Sequence, residues 1–187
     1  DRVLATIGYV PVEEYLFFVL QPILTGLFLF YVLMRRGESA AAASQSSVWV
    51  GFFLFAALAI LGFGLIGSGW ESGLYMGLIL GWASPLLAGM WLYDGRTLWA
   101  HRRTLFIAVG GATVYLWIGD ATAIASGIWT ISERFTVGVS PFGLPVEEAT
   151  FFLMTNLLVV KGILLLLYGS HDAISTQEIS MGSRLNA

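Results

Sequence analysis

Residues 11–34 read PVEEYLFFVLQPILTGLFLFYVLM, and this stretch decides the fold. Behind a Pro and two carboxylates it carries no charge between Glu14 and Arg35, and Leu, Phe, Val and Ile dominate it. About 20 mostly apolar residues let a helix cross a bilayer, so 11–34 is expected to be a transmembrane helix. Four further stretches share the pattern: 48–67, 73–93, 103–124 and 145–168, the last interrupted by Lys161. The fourth reaches full length only by running past Asp120. Composition agrees with five spans. The 187 residues are 57% hydrophobic and 11% charged, whereas a soluble domain averages roughly 25% charged. The predicted fold class is therefore all-α, a polytopic transmembrane bundle over residues 1–169 with a polar tail over 170–187.

The same counts exclude whole classes of function. Net charge is −3, and no basic patch is large enough for nucleic acid. The absence of Cys removes disulfides, thiolate nucleophiles and Cys-ligated metals, and two His do not make a metal site. No Gly-rich nucleotide fingerprint follows a strand, since Gly62-Phe63-Gly64 lies inside a predicted span. The expectation is no metal and no cofactor.

Arg35, Arg36, Arg96, Arg102 and Arg103 fall in loops on one side, against Arg2 and Arg134 on the other. The positive-inside rule then places the chain in the cell membrane with its N-terminus and the 125–144 loop outside and the tail in the cytoplasm. Gly37–Ser47 is expected to be a flexible loop. Gly127, Gly138, Pro141 and Gly143 mark 125–144 as a structured re-entrant or surface loop. The N-terminus does not have the pattern of a cleavable signal peptide.

A duplication is the most informative feature. Pro11-Val12-Glu13-Glu14-Tyr15-Leu16-Phe17-Phe18 recurs as Pro145-Val146-Glu147-Glu148-Ala149-Thr150-Phe151-Phe152, with six identities in eight positions. Both copies open a span from the same side, so the repeat is parallel, and repeats in membrane folds place sites where the halves meet. The first copy begins almost at residue 1, whereas the second follows two helices and a loop. That asymmetry predicts two further helices, from a preceding segment or a second subunit, and seven in the complete protein.

Acids after an N1 proline complement the helix dipole, but capping alone does not explain doubled acids at a membrane boundary. Intramembrane acids usually face a protein interior and carry function. Glu14, Phe17, Phe18, Gln21 and Thr25 share a helix face, and Glu148, Phe151, Phe152, Thr155 and Asn156 form a matching one. Each face presents a carboxyl, then a Phe pair, then polar groups. Glu13 and Glu147 flank the faces. Two carboxyls held close together do not ionise together easily, so one keeps its proton and a single cavity holds an acid and a base. Asp120, with Trp117 and Trp129 near it in sequence, is a third candidate acid or else a helix-end residue facing water. Aromatic faces lining the cavity would stabilise a cation.

Other features read more plainly. Lys161 invites comparison with a retinal-binding lysine, but its stem is expected to snorkel to the cytoplasmic surface. Gly73, Gly77 and Gly81 form a small-residue packing stripe, serving one chain or a homo-oligomer. Asp94-Gly95 reads as a turn, and His101 as interfacial.

At the paired motifs the chain resembles the small, membrane-integral, flavin-free carotenoid cyclases, chiefly the lycopene beta-cyclases of archaea and bacteria, which occur as two short subunits or one fused chain. Asp120, Gly127-Ile128-Trp129, Thr136-Val137-Gly138 and Pro141-Phe142-Gly143-Leu144 also match, and the resemblance spans nearly all of residues 1–168. It implies conversion of lycopene to beta-carotene by protonation, ring closure and deprotonation with no net redox change. Glu14 and Glu148 would give and take the proton in an order left open. Glu13, Glu147 and Asp120 would tune them, and Phe17, Phe18, Phe151, Phe152 and Trp129 would shield the cation. Alternatives are a cyclase of elongated carotenoids or of another ring isomer, a retinal protein built on Lys161, and a carotenoid-binding protein without catalysis.

Overall fold

The computed structural model describes residues 5–8, 10–36, 45–129 and 131–169. The uninterrupted apolar stretches form five helices, each long and apolar enough to span a membrane. They are α1 (Val12–Arg36), α2 (Gln45–Gly67), α3 (Leu74–Ala100), α4 (Arg102–Ala125) and α5 (Val146–Tyr168). A short antiparallel hairpin, β1 (Thr6–Ile7) and β2 (Val10–Pro11), leads into α1 and was not foreseen. Pro11 and Pro145 sit just before their helices rather than at the first helical position.

Helix α5 is central: it touches α1, α3 and α4, whereas α2 packs chiefly along α3. The core between them includes Leu29, Ile79, Leu87, Leu98, Ala108, Val160 and Leu164. The predicted glycine stripe is a close helix crossing. A Cβ on Gly62 would stand 2.5 Å from the Gly81 backbone nitrogen, and one on Gly77 3.1 Å from the Gly62 carbonyl oxygen. Small residues let the α2 and α3 backbones approach where water-driven packing is absent.

Three expectations need correction. The first is the extent of the turn at Asp94-Gly95: the chain does break there, but only at Asp94, and helical geometry resumes and runs to Ala100. Asp94 leaves helical geometry (φ −157°, ψ 69°), yet its Oδ1 accepts the Thr97 backbone N–H at 3.0 Å. That is N-cap geometry, so the residue that breaks the helix also restarts it. The second is the loop over Gly37–Ser47, since residues 45–47 belong to α2. The rest of that loop, and the 170–187 tail, lie outside the described residues.

The third concerns Lys161, the only lysine in the chain. It is 1% exposed and does not snorkel. Its Nζ lies 3.8 Å from the Phe55 ring centroid and 5.3 Å from that of Trp91, with no hydrogen-bond partner among the described residues. Gly51 and Gly95 leave room for that indole, since a Cβ on either would collide with it. The local sequence of α5 does not reveal that α2 brings Phe55 over the amine. An ammonium near a membrane helix centre costs about 2.5–3.5 kcal/mol, and aromatic faces return about 2 kcal/mol. Lys161→Met is therefore expected to leave the melting temperature in detergent unchanged or raise it slightly, as scanning calorimetry would show.

Candidate active site

Helices α1 and α5 run parallel, so their acidic first turns lie at one end of the bundle, with the Phe pairs and polar residues beneath. At that end four segments bring polar groups together. Glu147 is fully buried, and its Oε1 accepts the Val137 backbone N–H at 2.7 Å. The half-buried Glu148 accepts the Tyr75 hydroxyl on Oε1, also at 2.7 Å. Asp120, 6% exposed, accepts the Trp129 indole N–H on Oδ1 at 3.0 Å. Glu13 is half-buried and Glu14 is exposed.

Below the acids, four phenyl rings interlock. Phe17 meets Phe152 at 5.7 Å and Phe18 meets Phe151 at 6.0 Å between centroids, both edge to face. Such contacts use the ring quadrupoles and still leave π faces free. Deeper still, Gln21 Nε2 donates to Thr155 Oγ1 (2.7 Å) and Asn156 Oδ1 (3.0 Å). Thr25 Oγ1 donates to the same Asn156 oxygen at 2.7 Å, and Asn156 Nδ2 donates to Thr113 Oγ1 at 3.0 Å. Asn156 thus ties α1, α4 and α5 together, and the order of acid, Phe pair and polar layer is the one the sequence faces predict.

The two motif copies are not equivalent in burial. The α5 copy is packed under the loop that follows α4, whereas Phe18 is 53% exposed and Glu14 lies open beside it. That loop turns at Glu133–Phe135 and Pro141–Gly143. Arg134 straps it to the turn that leads into α3, with Nε 2.9 Å from Glu71 Oε2 and a second nitrogen 3.0 Å from Oε1. The Glu71 carboxylate holds the Arg134 guanidinium above its ordinary range. The pair is exposed and adds little stability; its arginine lies in the loop between Trp129 and Val137.

Trp117 and Trp129, the two tryptophans near Asp120 in sequence, both have hydrogen-bond partners. Trp129 holds Asp120, and Trp117 donates its indole N–H to the Ala149 carbonyl at 3.0 Å. Asp120 faces inward rather than into water. Tyr75 was not anticipated. One tyrosine in a chain that is 14% aromatic gives no periodic signal; its place at the start of α3, level with the acids, was the only clue. An apolar groove of about 260 Å³ between α1 and α4, lined by Leu24, Thr25, Phe28 and Tyr115, opens beside the polar layer. Phe28 also lines a recess of about 490 Å³ that reaches Arg35 and Arg36.

The chain is 34% identical over 169 residues to the lycopene beta-cyclase of Halobacterium salinarum strain R1, covering 87% of this chain and 68% of that one. It is 36% identical over 163 residues to the bifunctional lycopene cyclase/phytoene synthase of Fusarium fujikuroi, covering 83% of this chain and 26% of the fungal protein. The corresponding Podospora anserina protein is 36% identical over 166 residues, 82% of this chain and 28% of its own length. No protein-family model and no solved structure matches. With that identity over 87% of its length, the chain belongs to the lycopene cyclase family.

Proposed function

We propose that this protein cyclises the linear ends of lycopene, giving beta-ionone rings, within the membrane. One carboxyl delivers its proton to the terminal double bond. The cation that forms is attacked by the next double bond along the chain, closing a six-membered ring and moving the charge onto a ring carbon. A second carboxylate removes a proton beside that carbon and sets the ring double bond. One proton enters and one leaves, so the step is an isomerisation.

The observation that supports this reading is that the acidic first turns of α1 and α5 lie at one end of the bundle above the four-phenyl cluster, with Asp120 buried in α4. Glu14 and Glu148 exchange the proton with the substrate, while Glu13, Glu147 and Asp120 set the field around them. The phenyl faces stabilise the passing cation, and the α1–α4 groove offers an apolar bed for the polyene shaft. Membership of the lycopene cyclase family supports the substrate class. A retinal protein built on Lys161 is less well supported, because its amine is enclosed by Phe55 and Trp91 without an acidic partner among the described residues.

The test is expression in membranes of a lycopene-accumulating host, followed by pigment chromatography. Cyclised carotenoid is expected. Lycopene that co-purifies with the protein unchanged would instead establish binding without catalysis.

A further inference from the structure

Loss of the second proton decides which ring isomer forms. The ring cation has three neighbouring positions that can release a proton: the carbon joined to the polyene, the ring methylene on the other side, and the methyl group. The first gives the beta ring, the second the epsilon ring and the third the gamma ring. All three products have the same atoms and differ only in where the base stands when the C–H bond breaks and its electron pair becomes the new double bond. A base free to swing between rotamers would yield mixtures.

Glu148 is not free to swing. Its Oε1 accepts the Tyr75 hydroxyl at 2.7 Å across the α3–α5 interface. Tyr75 is itself half-buried at the start of α3. Of its two oxygens, Glu148 thus has one fixed by a donor, which leaves Oε2 to take the proton from a defined direction. Val137 fixes Glu147 in the same way, but that carboxyl is completely enclosed, whereas Glu148 keeps partial exposure.

Resting on the cyclase reading above, we infer that Glu148 is the proton acceptor and that Tyr75 is the positioning residue that determines ring specificity. The phenol does not touch the substrate. It sets the angle and reach of the carboxylate that does.

The test compares Tyr75→Phe and Glu148→Asp with the native chain in lycopene-accumulating membranes, reading the ratio of ring isomers rather than total yield. Tyr75→Phe keeps the ring volume and frees the carboxylate; Glu148→Asp keeps the acid but withdraws it from the hydroxyl. Both are expected to raise the minor isomers about tenfold relative to the native main product, the factor that about 1.4 kcal/mol supplies. Loss of packing alone would lower yield without moving that ratio. Ring products from both variants in the native ratio would overturn the assignment while leaving the cyclase reading intact. If the native chain itself makes no ring, the cyclase reading fails instead.

Discussion

Glu148→Gln is expected to abolish most cyclisation, lowering the initial rate of lycopene consumption by about 10²–10⁴-fold, the usual contribution of a positioned proton-transfer group. The amide is nearly isosteric, so the Tyr75 hydroxyl keeps an acceptor at 2.7 Å and the surrounding packing is preserved. What disappears is the ability to carry a proton. Glu14→Gln tests the opposite role, and with both replaced, lycopene should persist unconverted. Lys161→Met lies far from the acids and should retain native activity at equal membrane abundance, controlling for insertion. Ring formation at native rates in the doubly substituted protein would eliminate carboxyl-mediated cyclisation.

The second large effect concerns folding. Asn156→Leu is expected to destabilise the bundle by about 2 kcal/mol, taking three lost hydrogen bonds at the average of about 0.6 kcal/mol measured within membranes, with individual bonds reaching about 1.7. Asn156 is completely buried and receives Gln21 and Thr25 on one atom while donating to Thr113 from the other. Leu cannot replace either function, although both threonines can turn to carbonyls of their own helices, which limits the cost. Equilibrium unfolding in mixed micelles should show a lowered midpoint, with Asn156→Gln less affected. A midpoint unchanged in Asn156→Leu would mean that α1, α4 and α5 are held by apolar packing alone.

Much of this arrangement is readable in the amino acids. The spans follow from long uncharged stretches, and the two-copy motif announces which helix ends meet. The order of acid, Phe pair and polar group follows from helical spacing, down to Gln21 and Asn156. Sequence periodicity stops at the helix surface, however. It does not report that Tyr75 crosses from α3 to Glu148, or that the 126–145 loop covers Glu147 and leaves Glu14 open. Lys161 fails for the same reason, since its enclosure comes from α2 and α3 rather than from its own neighbours. Asp94 was half legible: the break is visible in the Asp-Gly pair, but not that the Asp94 carboxylate caps the Thr97 N–H and restarts the helix.

Asp120, Tyr75, Glu148 and Asn156 come from three helices, and α5, the last of the five described to leave the ribosome, supplies two of them. A nascent chain halted before α5 therefore has neither the second acid pair nor the amide that draws α1 towards α4. On the cyclase reading proposed above, proton transfer waits until α5 packs against α1, α3 and α4.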